Sequence, residues 1–250
     1  MAYSIVFQIT VGIITAIYAF LNGFRIPDLV PIFPNLVLMT FLYGAGNVFV
    51  FNALKLTEAS QFTILFASRS LWTIFAAILF LGESFSLKQV IGTILIISSI
   101  VIVSWRKQQF KLSKGELYAI LAALAFGLAF ANDAFIIRNF DVSSYLVLAF
   151  IIPALGVWAV YPKSISKMKP LFEKKTLPKL IVLAVFYTIS AIVIFLAYQV
   201  GRNAAQIAPL NQTTIIITVI FAVIFLNEKT DILRKLVGAA VSLIGVILLK

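Results

Sequence analysis

The chain has 250 residues, 62% of them apolar and 12% charged, and a mean hydropathy of +1.08. A water-soluble domain averages about 45–50% apolar and about 25% charged residues, so composition predicts an integral, multi-pass membrane protein. Neither Cys nor His occurs, which excludes disulfides, thiolate and imidazole metal sites and His-based acid–base chemistry, and no cofactor is expected.

Apolar runs long enough to cross a bilayer, roughly 17–25 residues, recur nine times. They are 2–22, 32–54, 60–81, 87–105, 116–137, 143–161, 180–199, 204–226 and 233–249. The first begins at Ala2 with no basic residue before it and no small-residue cleavage site, so no cleaved signal peptide is expected. On the second run Tyr43 and Asn47 lie four apart beside Gly44 and Gly46, a polar face that could meet a substrate or another helix. Glu58 follows at the mouth of the third run. Arg69 lies about 13 Å into that run at the α-helical rise, with Phe62, Phe66, Trp72 and Thr73 on the same helical face. An Arg at this depth must face protein or water. Flanked by aromatics, it can grip a carboxylate bidentately and stack on a flat group. A structural Arg, bonded to backbone carbonyls or to Asp133, or snorkelling to an interface, fits the same position.

Asp133, near the end of the fifth run, is the one carboxylate clearly inside a span. A proton-coupled carrier needs such a titratable group, and Asp133, then Glu58, are the coupling candidates. Asp133 could equally sit at the interface, pairing Arg138 or capping a helix. On the seventh run Tyr187, Ser190 and Tyr198 could reach a cavity. On the eighth, Pro209 removes a helical hydrogen bond, and Asn211, Gln212, Thr213 and Thr214 follow it. Four consecutive polar residues cannot share one face, so a locally opened helix lining a cavity is expected, with Asn211 and Gln212 as substrate contacts. Gly238, Ser242 and Gly245 form a small-residue stripe on the last run, a packing surface within the protomer or in a homodimer.

Basic residues orient the spans. One side of the membrane receives fourteen, including all six from Lys163 to Lys179, and the other receives five. This places the first side in the cytoplasm, with Met1 cytoplasmic and Lys250 external. The net charge of +11 would also suit nucleic acid, but these residues fall between spans, so the expected partners are the lipid bilayer and a small-molecule substrate, not nucleic acid.

One passage is written twice. ILFLGESFSLKQVIG, Ile78 to Gly92, returns as VIFLNEKTDILRKLVG, Val223 to Gly238. Glu83 is matched by Glu228 and Gly92 by Gly238. The two glutamates sit at turns, where helix capping explains them best. Five spans separate the turns, so they face opposite sides and the halves are inverted. The halves are 1–105 and 116–250, joined by a linker at 106–115. The first holds four spans and the second five, so inverted symmetry predicts one more helix ahead of Met1, or else a protein that works with nine.

The ends of the halves, LTEASQFTILFASRSLWTIFAAILFLGESFSLKQVIGTILIISSIVIV and VGRNAAQIAPLNQTTIIITVIFAVIFLNEKTDILRKLVGAAVSLIGVILL, resemble those of the drug/metabolite transporter superfamily, specifically proteins with two EamA domains. Ala59, Gly82, Glu83 and Gly92 match the pattern in the first copy, and Ala204, Glu228 and Gly238 in the second. Asn227 replaces the usual Gly, and Asn tolerates the same left-handed turn. The resemblance implies an all-α polytopic fold of ten helices in two inverted sets of five, here nine. It also implies a secondary transporter that exports or exchanges small metabolites such as amino acids across the plasma membrane. A flippase of lipid-linked or amphipathic substrates is the alternative. No phosphate-binding GxxxxGK[ST] loop occurs. A membrane enzyme would need paired carboxylates, a metal cluster or an activated nucleophile, so catalysis is not expected.

Overall fold

A computed structural model describes residues 2–25, 28–81, 86–106, 109–110, 112–137, 140–201, 213–228 and 230–248. The first two apolar runs form α1 (Ala2–Leu21) and α2 (Phe33–Leu56). The third is divided into α3 (Ala59–Phe66) and α4 (Arg69–Leu81). The rest of the first half is α5 (Leu87–Ser104). A two-residue antiparallel ladder, Trp105–Arg106 with Gln109–Phe110, occupies part of the linker. The second half supplies α6 (Lys114–Ile137), α7 (Val142–Val160), α8 (Leu177–Gly201), α9 (Thr213–Phe225) and α10 (Ile232–Leu248). Two short 3-10 turns, Pro162–Lys167 and Lys169–Phe172, link α7 to α8. Apart from the ladder, the regular structure among the described residues is helical, and α1, α2, α6, α7 and α8 are long and apolar enough to cross a membrane.

Local chemistry explains where these helices begin. Ser113 and Glu116 form a reciprocal capping box on α6: Glu116 Oε2 accepts from the Ser113 N–H at 2.6 Å, and Ser113 Oγ accepts from the Glu116 N–H at 3.3 Å. Asp141 caps α7 by accepting from the Ser144 N–H at 3.1 Å. Asn227 takes φ 55°, so the turn before α10 uses the left-handed conformation expected where Asn stands for Gly.

The division of the third run was not expected. Neither Gly nor Pro lies between Phe66 and Arg69. The break is a tight turn in which the N–H groups of Ser68, Ser70 and Leu71 donate three residues back, to Leu65, Ala67 and Ser68. The Ser68 hydroxyl also donates to the Leu65 carbonyl, at 2.7 Å. That carbonyl is the acceptor a continuous helix would offer to Arg69, and local side-chain bonding of this kind competes with the helix.

The helices gather into two compact units, each built from both sequence halves. The first comprises residues 1–44 and 132–202, the second 45–131 and 203–250. Within the first, α1 packs along α7 and both meet α8, around a core that includes Met39, Ile136, Tyr145, Leu146 and Phe195. Within the second, α5 packs along α10 and α3 against α9. The α5–α10 seam depends on missing side chains. A Cβ on Gly245 would lie 2.8 Å from the Gly92 carbonyl oxygen, and one on Gly238 would lie 2.4 Å from Val103 Cγ2 and 3.7 Å from the Ser99 oxygen. The stripe of Gly238, Ser242 and Gly245 is thus buried against a helix of the same chain.

Candidate functional site

Arg69 opens α4, in the second unit, with Phe66 as the last residue of α3. The guanidinium lies 4.8 Å from the Phe66 ring centroid and 5.4 Å from that of Phe130, which comes from α6. Phe66 also stacks on Phe62 at 5.1 Å and meets Phe126 edge-on at 5.4 Å. A guanidinium held by two ring faces keeps its edge donors oriented, and those donors match a carboxylate. The wall behind it is closely packed. Thr73 Oγ1 donates to the Gly127 carbonyl at 3.0 Å, and a Cβ on Gly127 would fall 2.5 Å from the Arg69 carbonyl oxygen. Of the aromatics expected around Arg69, Phe66 lies over it, whereas Trp72 turns to Phe75, edge-on at 6.5 Å. Phe130 was not anticipated. It lies three residues before Asp133, but nothing in the sequence says that α6 packs against the third run.

The first unit holds a second polar cluster. Asp133, 1% exposed, receives the Tyr145 hydroxyl on Oδ1 at 2.5 Å and the Tyr43 hydroxyl on Oδ2. Tyr145 also lies 3.5 Å from Met39 Sδ. The neighbouring Asn132 and Asn35 are paired: Asn35 Nδ2 donates to Asn132 Oδ1 at 2.7 Å, and Asn132 Nδ2 returns to the Asn35 carbonyl at 3.0 Å. The carboxylate is therefore enclosed by protein, and each of its oxygens is bonded. Sequence pattern paired Tyr43 with Asn47; instead Tyr43 joins Asp133, while Asn47 lies half-buried on α2 in the second unit. Tyr145 was missed, since a phenol one helix away carries no local signal.

The remaining candidates divide. Glu58 Oε1 accepts from Thr230 Oγ1 at 2.5 Å, and Glu58 Oε2 pairs with Lys235. Glu228 acts as a helix cap, but for α3 of the other half. Tyr187 is exposed and packs edge-on against Phe7 and Phe150, and Ser190 is exposed on α8. Asn211 and Gln212, with Pro209, Glu83 and Arg138, lie outside the described residues.

The sequence profile of the EamA-like transporter family matches residues 2–105 and 113–250, nearly the whole chain and in two segments. The chain belongs to this family. It is thus a multi-pass membrane protein of a family of small-molecule transporters. A search of curated proteins finds no match. Twelve chains of known structure match. One of them, described only as the crystal structure of a protein, is 17% identical with a TM-score of 0.61, over 99% of this chain and 86% of the other. That likeness concerns the fold alone: the EamA chain shares its backbone arrangement with a solved protein at an identity too low to carry function.

Proposed function

We propose that this EamA protein is a secondary transporter, an exporter or exchanger of small organic metabolites bearing a carboxylate, amino acids among them. The observation that carries this reading is Arg69 at the broken helix, its guanidinium between Phe66 and Phe130. Discontinuous helices are where transporters place substrate contacts, because their ends expose backbone and charge. A fork held this way is suited to bidentate recognition of a carboxylate beside an apolar or flat group. Asp133, held by Tyr43 and Tyr145, is the proposed site of proton coupling.

The transport cycle we infer is alternating access between inverted halves, 1–105 and 116–250, with the N-terminus cytoplasmic, in the cell membrane. The α5–α10 seam supports the inversion. With Gly92 equivalent to Gly238, an offset of 146 makes Ser99 equivalent to Gly245. Gly92 meets Gly245, and Ser99 meets Gly238. Each contact is the other with its partners exchanged, as a two-fold relation requires.

The test is uptake and efflux of labelled amino acids and organic anions in proteoliposomes, with Arg69→Ala alongside. Carboxylate-bearing solutes should lose transport in the variant. Equal movement of every solute with Arg69 removed would overturn the reading.

A further inference from the structure

Glu228 lies on the turn between α9 and α10, yet its carboxylate closes the N-terminus of α3. Oε1 accepts from the Ala59 N–H at 2.8 Å, and Oε2 from the Ser60 N–H at 3.1 Å and the Ser60 hydroxyl at 2.5 Å. Glu58, the residue before α3, makes no side-chain cap of its own, so the cap comes from 169 residues further along the chain. Lys235, 5% exposed, pairs with Glu58 and lies 3.9 Å from Glu228 Oε2. Beside this cluster opens a cavity of about 560 Å³, lined among others by Lys55, Thr57, Gln61 and Arg234.

The other end of α3 is the tight turn at Ala67–Ser68. Beyond it, α4 is fixed to α6 by Thr73 and by the close approach at Gly127. Thus α3 is an eight-residue bar with a break at one end and a charged cap at the other. A further tie, Gln61 donating to Glu116 of α6, holds its first turn. Lys235 is buried whereas Glu58 reaches the surface, and partly buried ion pairs of this kind contribute little net stability but are well attested as registry and switching elements. Removing the Glu228 carboxylate leaves the Ala59 and Ser60 N–H groups unsatisfied and strips buried Lys235 of one of its two carboxylates.

We propose that Glu228, Lys235 and Glu58 form a latch that closes one end of the transport path, with α3 as the moving bar. Glu228 is the positioning residue. When its carboxylate leaves Ala59 and Ser60, water caps α3, the helix swings about Ala67–Ser68, and Phe62, nearer the capped end, moves aside to open Arg69 to that side. This rests on the transporter reading above, but its test reads accessibility and needs no substrate.

The chain has no Cys, so single cysteines report cleanly. Phe62→Cys marks the bar. Asn35→Cys marks the opposite end of α2, about 30 Å from Leu56 at the helical rise. Each is labelled in proteoliposomes with a membrane-impermeant maleimide, with and without Glu228→Gln. The latch predicts that Glu228→Gln speeds labelling at position 62 about tenfold, the shift for losing one charge-assisted hydrogen bond, and slows it at position 35. Lys235→Gln should do the same, which guards against a variant that fails to fold. Labelling that rises at both positions means general loosening and overturns the latch, as does no change at either. Failure of carboxylate transport in the wild type would instead count against the function and leave the labelling result standing.

Discussion

Tyr145 of α7 donates its phenol hydroxyl to Asp133 of α6 at 2.5 Å. Tyr145→Phe keeps the ring and its packing against Phe140 and Phe195 but strips one carboxylate oxygen of its donor. An unsatisfied buried acceptor costs about 1–3 kcal/mol, and thermal unfolding in detergent should show that loss. Asp133→Asn retains hydrogen-bonding capacity and removes the titrating group. It should leave stability within about 1 kcal/mol of wild type while abolishing the response of transport to an imposed pH gradient. Unchanged pH-gradient drive in Asp133→Asn would remove Asp133 from the coupling role.

Arg69→Lys separates charge from shape. Lysine carries the positive charge on a flexible stem and cannot present a planar fork between two rings. The expected result is weaker binding of carboxylate solutes, seen as a raised KM, with residual transport above that of Arg69→Ala. Phe130→Leu should move in the same direction by a smaller amount, since a guanidinium–ring contact is worth about 0.5–2 kcal/mol.

Gly127→Ala tests whether α4 is pinned. The new Cβ would stand 2.5 Å from the Arg69 carbonyl oxygen and 2.6 Å from Trp72 Cβ, so the backbone must move. Overpacking of this kind costs about 1–3 kcal/mol, and the shift displaces Arg69 itself. Lower thermal stability together with lost transport is the expected pair of readings.

Ser242→Ala should run the other way. Ser242 is fully buried on the seam between α5 and α10, and its hydroxyl has no hydrogen-bond partner among the described residues. Replacing an unsatisfied polar atom with hydrogen removes a desolvation penalty. The variant should melt at or above the wild-type temperature, whereas Gly245→Val on the same seam should melt well below it.

Hydropathy pointed to the apolar runs that form α1, α2, α6, α7 and α8, because lipid enforces apolar runs of fixed length. It also led to Arg69, since a charge inside such a run stands out. The break at Ala67–Ser68 left no such mark, because Phe-Ala-Ser-Arg contains no residue that forbids a helix. Tyr145 and Phe130 were hidden for another reason: which helix packs beside which is settled in three dimensions, while periodicity reports only faces. Glu228 was legible as a cap, but the Asn227-Glu228 pair points to its own turn, and nothing local reveals that the helix it serves begins at Ala59.

In a continuous α-helix Phe66 and Arg69, three residues apart, would be offset by about 60° around the axis. A 3-10 turn advances by about 120° per residue and brings positions three apart into eclipse. The tight turn that ends α3 therefore sets the azimuth of Arg69, placing it directly above Phe66. Lengthening or healing that turn would re-aim the guanidinium without altering a single residue that touches it.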